Sequence, residues 1–379
     1  MAKGTQKPKI AILGVKFYPS RGGVSRIVED TLIELKDRYD FTIYCYKTPE
    51  AENYLPGVRA IQFPKIPGGA FGVFFYYLRC TLHALRHGNY DLVHVHKTDA
   101  AFFVPMLTRK FKTIATSHEA PYRRDKWSGI GKAYFRLMER IFMRSHARLT
   151  SISKPLSAYY EQTYGRPVEY IPNGVEVANQ FDYDAADRVL AEHGVKGEFM
   201  FFAARRIMGT KGAHHMLQAL RQIGYKGSVV IAGDLSQLPA YTKQLKDLSK
   251  GLDVKFIGYI SSKATLMALV DRSKFFIFPS ETEGMSIMLL EVGSVGTPLV
   301  CSDIPENTSV FDDEEVLYFR NKDAADLAAK LEWAFAHPNE MEDKARAARQ
   351  RVLDEYDRAV VVENYIRLYD DMLSAAPVL

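Results

Sequence analysis

The chain alternates short apolar runs with stretches of helical periodicity from end to end, and this alternation limits the folds open to it. Strands that are apolar along their whole length and separated by helices form parallel sheets covered on both faces. The runs fall into two series. The first comprises KIAILG, YDFTIYCY, DLVHVH, KTIATSH, ARLTSIS and VEYIPN, and the second comprises EFMFFAA, GSVVIAGD, VKFIGYI, FFIFPS and TPLVCSD.

Two such series predict two doubly wound α/β domains. The length of 379 residues allows each domain an ordinary core. Because apolar periodicity is lost near residue 178, we predict a first domain over residues 1–178 and a second over residues 179–357. The last amphipathic stretch, about 358–379, has no strand after it, and we expect it to pack back on the first domain.

Composition and charge narrow the class of protein. The chain is 47% hydrophobic and 25% charged, which is typical of a globular protein. Its net charge is +5, with Lys and Arg in excess over residues 1–180 and Asp and Glu in excess over the remainder. A basic first half can face nucleic acid, anionic lipid or a phosphorylated substrate, and bulk charge alone does not choose among them. The three cysteines lack metal-ligand spacing and no apolar run reaches membrane-spanning length, so we expect core thiols and a cytoplasmic protein.

A glycine pair follows the first predicted strand. Gly22 and Gly23 precede apolar residues at helical spacing, so free backbone N–H groups at this helix start can meet a phosphate or sugar hydroxyls. A plain glycine turn explains such a pair about equally well. The dinucleotide fingerprint G-x-G-x-x-G is absent, which disfavours a nicotinamide-dependent oxidoreductase.

Histidines and basic residues follow other predicted strands. His118 ends KTIATSH and is the histidine best placed to bind a sugar hydroxyl or to stabilise charge, whereas His94 is predicted to be a satisfied core residue. In the second series Arg205 and Arg206 end a strand, and Lys211 precedes a helix. Two fixed cations and a helix start favour a diphosphate ligand. A solvated basic loop is the alternative.

The stretch SETEGMSIMLLE places two glutamates eight positions apart around a predicted helix start. Carboxylates are rarely buried without a partner. If the helix begins after Gly284, Glu291 lies about two turns inside it, and the separation is roughly 12 Å at the helical rise. This matches the reach of a sugar nucleotide, so we predict that Glu291 binds ribose and Glu283 binds the sugar. The phosphates would meet the backbone amides of Gly284, Met285, Ser286 and Ile287.

Three segments, in this order, resemble one family. YPSRGGVSRIVEDTLIEL, AARRIMGTKG and PSETEGMSIMLLEVGSVGTPLVCSD, with SISKPLSAYYEQTYG and YIPNGVE between the first two, resemble the retaining nucleotide-sugar glycosyltransferases of family 4. The family has the GT-B fold, in which two Rossmann-like domains face a central cleft. The resemblance covers nearly the whole chain, and its most specific part is the glutamate pair. Met285-Ser286 stands where the family usually has Phe-Gly, and Arg205 stands where a glycine is common.

The resemblance implies transfer of a hexose from a UDP- or GDP-sugar with retention at the anomeric carbon. By this resemblance Glu291 binds the ribose, and Glu283 and His118 lie against the donor sugar. Arg206 and Lys211 bind the diphosphate, with Arg205 as the reserve candidate for the same role. A GT-B nucleotide-sugar epimerase is the alternative function.

The resemblance also places the Gly22–Gly23 loop near the transferred group. No carboxylate in the sequence is an obvious covalent nucleophile, so we expect front-face displacement assisted by stabilisation of the leaving group. Neither a metal ion nor another cofactor is expected. A D-x-D motif at Asp182–Asp184 is predicted to be a helix cap rather than a metal ligand.

A ladder of cations marks one predicted helix of the first domain. Because it combines positive charge with apolar residues, we expect it to dock on anionic lipid at the inner face of the cytoplasmic membrane, at about 1 kcal/mol per charge. The acceptor would be a lipid-linked sugar or a glycan. A solvated helix face is the alternative, and nucleic acid is disfavoured because no stacking or helix-turn-helix pattern is present. The ladder comprises Lys132, Arg136, Arg140, Arg144 and Arg148, interrupted by Glu139 and extended by Arg123, Arg124 and Lys126.

Overall fold

The computed structural model describes residues 6–123 and 129–375. The chain divides into two compact units. The first unit comprises Met1–Asn173 together with Ala359–Leu379, and the second unit comprises Gly174–Arg358. Within the described ranges, no helix combines the length and the apolar content that crossing a bilayer requires.

Each unit is built on one parallel sheet. The first sheet contains β1 (Lys9–Leu13), β2 (Asp40–Tyr46), β3 (Val58–Phe63), β4 (Leu92–His96), β5 (Lys112–Ser117), β6 (Arg148–Ser151) and β7 (Glu169–Tyr170), in the order β3-β2-β1-β4-β5-β6-β7. The second contains β8 (Phe199–Arg206), β9 (Ser228–Asp234), β10 (Asp253–Gly258), β11 (Phe275–Phe278), β12 (Leu299–Ser302) and β13 (Leu317–Phe319), in the order β10-β9-β8-β11-β12-β13. The strand order reverses between β1 and β4 and between β8 and β11. Ligands of such sheets bind beyond the carboxyl ends of the strands at this order reversal.

Helices connect the strands. They are α1 (Val24–Leu35), α2 (Ala70–His87), α3 (Val104–Leu107), α4 (Gly129–Arg144), α5 (Lys154–Tyr164), α6 (Tyr183–Glu192), α7 (Ala213–Gln222), α8 (Pro239–Leu248), α9 (Lys263–Arg272), α10 (Ile287–Val295), α11 (Pro305–Thr308), α12 (Ala324–Ala336), α13 (Pro338–Arg351) and α14 (Arg358–Ser374). Asp182 Oδ1 accepts a hydrogen bond of 3.0 Å from the N–H of Ala185. Asp182 therefore caps α6, as the sequence predicts.

Two edge strands escape prediction from the sequence. β3 and β13 each pair with one neighbour in the described sheets. β3 contains Arg59 and Gln62 and is partly exposed along its length, and β13 has only three residues. An edge strand keeps one side of its hydrogen-bonding ladder open, so it needs no continuous apolar run. The eleven predicted runs correspond to the other strands.

The two faces of the first sheet bury alternate residues of β1. Ile10 and Ile12 join a cluster with α1 on one face, while Ala11 and Leu13 join a cluster with α2, α4 and α5 on the other. Full burial of one large apolar side chain contributes about 1.5–3 kcal/mol. α14 adds four buried side chains to the α1 cluster. It is therefore part of the core of the first unit and contributes to its stability. The four side chains belong to Val361, Tyr365, Leu368 and Tyr369.

The second sheet is buried in the same way. Met200 and Phe202 of β8 pack in a cluster with α7 and α12, and the alternate residues Phe199 and Phe201 are also buried. Burial on both faces is the physical reason for the continuous apolar runs of the sequence.

The three cysteines are free and buried, as the sequence predicts. Burial raises the pKa of the Cys45 and Cys80 thiols to about 12. Burial also raises the pKa of the Cys301 thiol. All three thiols are therefore protonated and unreactive at neutral pH.

Candidate active site

Two loops of the second unit meet at its order reversal. Gly212, which precedes α7, has a φ of +71°, and a Cβ atom there would lie 1.8 Å from the carbonyl oxygen of Pro279. Only glycine permits this approach of two backbones. The N–H of Glu281 donates to the carbonyl oxygen of Thr210 at 2.9 Å. The loop after β8 and the loop after β11 are therefore in direct backbone contact.

An ion pair joins the same two loops. Lys211 Nζ donates to Glu283 Oε1 at 2.5 Å, and the Glu283 side chain is only 9% exposed. The buried carboxylate thus has a partner from the fold itself, in a charge-assisted hydrogen bond. Because an ammonium group carries three donors, Lys211 keeps donor capacity for an anionic ligand. The structure brings these two predicted residues together, although the sequence predicts a sugar as the partner of Glu283.

The second predicted glutamate, Glu291, is also buried beside a lysine. Its residue is 4% exposed, and Lys263 Nζ lies 3.7 Å from Glu291 Oε1. Lys263 also donates to the carbonyl oxygen of Glu176 at 3.3 Å. Glu291 lies in α10 and Glu283 in the preceding loop, so both glutamates belong to the segment that follows β11.

The start of α10 differs from the prediction. The helix begins at Ile287, and Ser286 is its N-terminal cap, with Oγ accepting from the N–H of Leu289 at 3.4 Å. Serine caps helices better than a glycine without a side-chain acceptor, which places the start after Ser286 instead of after Gly284. Glu291 is therefore one turn into the helix, not two. Because residues 283–286 precede the helix, the distance between Glu283 and Glu291 cannot be calculated from the helical rise. Of the four backbone amides predicted to bind phosphate, only that of Ile287 lies in the helix. The Met285 side chain is buried.

Arg205 and Arg206 end β8 with exposed side chains. Arg206 lies in register with Asp234 at the end of the neighbouring strand β9. Hydrogen bonds from Ser236 hold the pKa of Asp234 below its usual value, and Gln237 and Arg206 lower this pKa further. Both arginines are thus at the carboxyl edge that also carries Lys211.

The equivalent edge of the first unit carries buried histidines. His96 Nδ1 and His118 Nε2 are 3.1 Å apart. His118 is 5% exposed, and its Nδ1 has no hydrogen-bond partner among the described residues. Burial lowers the pKa of His96 to about 3, with a contribution from Lys97. Burial, with contributions from His96 and Lys97, also lowers the pKa of His118 well below its usual value, so both imidazoles are neutral at pH 7.

His94 is the core residue that the sequence predicts. Its Nδ1 lies 2.9 Å from the hydroxyl of Tyr369 in α14, and its Nε2 lies 2.6 Å from the hydroxyl of Thr116. The residue is fully buried. Because both ring nitrogens have protein partners, His94 contributes to the core and not to a binding surface.

Sequence reasoning missed an ion pair at the first order reversal. Lys16 follows β1 and Asp99 follows β4, and Lys16 Nζ lies 3.6 Å from Asp99 Oδ2. The Tyr77 hydroxyl donates to Asp99 Oδ2 at 3.3 Å. Burial lowers the pKa of Lys16, and the charge of Asp99 opposes this shift. Two polar residues directly beyond adjacent strand ends were the signal for this pair.

The Gly22–Gly23 loop leads into α1. Gly22 and Gly23 have φ values of 93° and 60°, a region that favours glycine. Glu29 of α1 accepts from the N–H of Ser20 at 2.5 Å and from the Tyr54 hydroxyl at 3.0 Å. A buried carboxylate thus holds the start of this loop.

The basic ladder lies on α4 and just beyond it. Glu139, its acidic interruption in the sequence, is 2% exposed and accepts from the hydroxyl of Tyr164 at 2.8 Å. The exposed residues Arg136, Arg140 and Arg144 therefore lack an acidic neighbour from Glu139 at the surface. Arg148 is paired with Glu169 at 2.7 Å. Of the predicted extension, Arg124 and Lys126 lie outside the described residues, as does the side chain of Arg123.

Comparison with known proteins identifies the family. The family model for glycosyl transferases group 1 matches residues 187–351, and the model for glycosyltransferase family 4 matches residues 21–179. The first match contains Arg206, Lys211, Glu283 and Glu291. The second contains the Gly22–Gly23 loop and His118.

The chain is similar in sequence to curated transferases and similar in fold to solved structures. Glycogen synthase of Mycobacterium tuberculosis H37Rv is 24% identical over 74% of this chain and 68% of its own. GDP-mannose:cellobiosyl-diphosphopolyprenol alpha-mannosyltransferase of Xanthomonas oryzae is 25% identical over 77% and 76%. Sucrose-phosphate synthase of Thermosynechococcus elongatus has a TM-score of 0.80 at 18% identity, covering 98% of this chain and 100% of its own. Anabaena HepE, solved with UDP-glucose, has a TM-score of 0.77 at 16% identity, covering 96% and 99%. The chain is therefore a glycosyltransferase that belongs to family 4 and has the GT-B fold.

Proposed function

We propose that the protein transfers a hexose from a UDP- or GDP-sugar to a lipid-linked or glycan acceptor, with retention at the anomeric carbon. The Xanthomonas relative is named for GDP-mannose and a diphosphopolyprenol acceptor, and HepE was solved with UDP-glucose. A phosphatidyl-myo-inositol mannosyltransferase of Mycobacterium tuberculosis is 24% identical over 76% of this chain. These names support a nucleotide-sugar donor and a role in cell-surface polysaccharide or glycolipid assembly.

The observation that carries the proposal is the Lys211–Glu283 pair at the carboxyl edge of the second sheet. Glu283 Oε1 holds Lys211 Nζ at 2.5 Å, which fixes the direction of a cation on a flexible side chain. A fixed cation stabilises charge better than a mobile one because it needs no reorganisation during the reaction. With Arg206 on the same edge, Lys211 is suited to the donor diphosphate, and Glu291 to the ribose hydroxyls.

The proposed chemistry follows from that placement. The bond between the anomeric carbon and the diphosphate oxygen breaks, and a bond to the acceptor oxygen forms on the same face of the sugar. The acceptor hydroxyl gives its proton to the departing diphosphate, whose negative charge Lys211 and Arg206 stabilise. Because Lys211 and Arg206 would supply this charge stabilisation, we propose that the step needs no metal ion.

His118 is the proposed contact to the donor sugar. Its buried Nδ1 has no partner among the described residues, and an unsatisfied buried polar atom costs about 1–3 kcal/mol. A sugar hydroxyl would offset this cost. The lowered pKa keeps the imidazole neutral, so it can exchange a hydrogen bond with a hydroxyl without adding charge beside the reacting carbon.

Donor binding and product analysis test the proposal. UDP, GDP, UDP-glucose and GDP-mannose are titrated calorimetrically into the protein, and the product formed with a polyprenyl-diphosphate-linked sugar is analysed by NMR. We expect one nucleotide class to bind and the product to keep the anomeric configuration of the donor. Inversion would refute the retaining mechanism. Interconversion of free nucleotide sugars without acceptor would instead identify an epimerase.

The exposed cations of α4 support docking on an anionic membrane surface. Co-sedimentation with vesicles containing anionic lipid tests this part at low and high salt. We expect binding at low salt, little binding at high salt because salt screens the attraction, and a loss of about tenfold or more in Arg140→Glu/Arg144→Glu. Lys243→Glu/Lys246→Glu on the exposed side of α8 is the matched control. No binding at low salt, or equal loss in the control, would refute the docking surface.

A further inference from the structure

A cluster of two histidines and a glutamate lies beside the candidate donor site. His215 Nε2 is 3.1 Å from Glu281 Oε1, and His214 Nε2 is 3.6 Å from the same oxygen. The three ligand atoms lie within 4.8 Å of one another. One hydrogen bond accounts for His215. No hydrogen bond accounts for the position of His214 Nε2, which lies beyond hydrogen-bond distance from the same oxygen.

We propose that His214, His215 and Glu281 form a site for a divalent transition-metal ion, with Zn²⁺ as the best fit. Imidazole and carboxylate donors suit Zn²⁺. Ligand atoms about 2.1 Å from a tetrahedral zinc ion are about 3.4 Å apart. The two measured separations, 3.1 and 3.6 Å, bracket that value. Three protein donors leave the fourth position for water.

Groups around the cluster hold the donors in place. The Tyr241 hydroxyl lies 2.9 Å from His214 Nδ1, which orients the ring so that Nε2 points to Glu281. Lys322 Nζ lies 3.2 Å from Glu281 Oε2, which leaves Oε1 for the ion. Partners of this kind on the far side of each ligand are the usual support of metal sites. The positive charge of Lys322 opposes a cation, so we expect micromolar affinity instead of tighter binding.

The ion would strengthen an existing junction. His214 and His215 begin α7 directly after Lys211 and Gly212, and Glu281 precedes Glu283 in the loop after β11. Metal binding would therefore join the two loops that carry the Lys211–Glu283 pair. The proposed role is structural, and it does not depend on the identity of the donor or on the transfer mechanism.

Metal titration of the full-length protein tests the site. The protein is treated with EDTA, desalted and titrated with ZnCl₂ by calorimetry and with CoCl₂ by visible absorption. We expect one ion per chain, a four-coordinate Co²⁺ spectrum and a Zn²⁺-dependent rise in the unfolding temperature. His215→Gln and Glu281→Gln should each weaken Zn²⁺ binding at least tenfold. His146→Gln, at an exposed histidine of the first unit, should bind as the unmodified protein does.

Lys322→Gln provides a variant with the opposite expectation. It keeps all three donors and removes the competing cation, so Zn²⁺ should bind at least as tightly as in the unmodified protein. Circular dichroism confirms that each variant is folded. Absence of Zn²⁺ binding at 100-fold molar excess, unchanged affinity in both His215→Gln and Glu281→Gln, or a loss in Lys322→Gln as large as theirs would overturn the proposal.

Discussion

The two order reversals have the same backbone plan and differ in the side chains that lie beyond it. In each, a glycine meets the carbonyl group of the neighbouring strand end: a Cβ at Gly14 would lie 1.8 Å from His96 O, and one at Gly212 would lie 1.8 Å from Pro279 O. Each edge carries a lysine paired with a carboxylate, but the first edge adds buried, neutral imidazoles and the second adds two exposed arginines. The topology thus sets where a ligand can bind, and the side chains beyond the glycine set whether it is an uncharged or an anionic group.

The largest effect is expected from removing the cation of the second edge. Lys211→Met should lower kcat by about 10²–10³, the loss typical of one group that stabilises developing charge. The variant also leaves Glu283 without its partner, so Lys211→Met/Glu283→Gln should recover stability without recovering the rate. Steady-state kinetics and urea unfolding measure the two effects. Lys226→Met, at an exposed lysine of the same unit, is the control. A kcat of Lys211→Met within threefold of that of the unmodified protein would contradict the proposed role of Lys211 in stabilising the diphosphate.

Lowering the pH should destabilise the first unit through the buried histidines at the edge of its sheet. The pKa of His96 is lowered to about 3, whereas an unfolded histidine titrates near 6.5. Below about pH 6.5 the unfolded chain therefore binds a proton that the folded unit does not, and stability falls with pH by about 2 kcal/mol per such histidine at pH 5.

Urea unfolding at pH 7.5 and pH 5 measures this loss. The loss should be smaller in His96→Gln than in the unmodified protein, while His146→Gln at an exposed histidine should leave it unchanged. His94, His118 and Lys97 surround His96 and remain in both proteins. Equal losses in His96→Gln and in the unmodified protein would contradict the assignment of neutral imidazoles to this edge.

The affinity for nucleotide tests whether Glu291, in the second unit, binds the ribose. Glu291→Gln should weaken UDP or GDP binding about tenfold, because a hydrogen bond to a charged group contributes about 1 kcal/mol more than a neutral one and a carboxylate can accept from both ribose hydroxyls. Calorimetry gives the dissociation constant. Glu332→Gln, at an exposed glutamate of α12, should leave it unchanged. An unaltered constant in Glu291→Gln would show that Glu291 only partners Lys263.

The smallest effect concerns the D-x-D motif. Asp182→Ala should cost the second unit about 1 kcal/mol, because it removes the cap of α6, and it should leave kcat unchanged. Asp184→Ala, in the same motif but not the capping residue, should cost less. Thermal unfolding and kinetics measure both variants. A metal-dependent loss of activity in Asp182→Ala would revive the metal interpretation of the motif.

The sequence predicts most of the fold because both faces of each sheet are buried. β11 is apolar throughout and β8 is apolar as far as Ala204, whereas β3 has Arg59 and Gln62 at an open edge and shows no such run. The Lys211–Glu283 pair was within reach, since both residues follow strands that are neighbours at the order reversal. The Lys16–Asp99 pair was within reach for the same reason. The His214–His215–Glu281 cluster required the three-dimensional structure, because no local pattern links its members. The start of α10 was wrong because Ser286, and not Gly284, supplies the cap.

The second unit is an uninterrupted stretch, Gly174–Arg358, whereas the first is completed by residues after it. Four buried side chains belong to that returning helix, and one of them, Tyr369, is the partner of His94. During synthesis the second unit therefore has its whole sequence available before the first does. Until α14 has been synthesised, the first unit is incomplete and the apolar surface that α14 covers is exposed. Exposed apolar surface favours aggregation, so we expect the nascent chain to be most prone to aggregation during this interval.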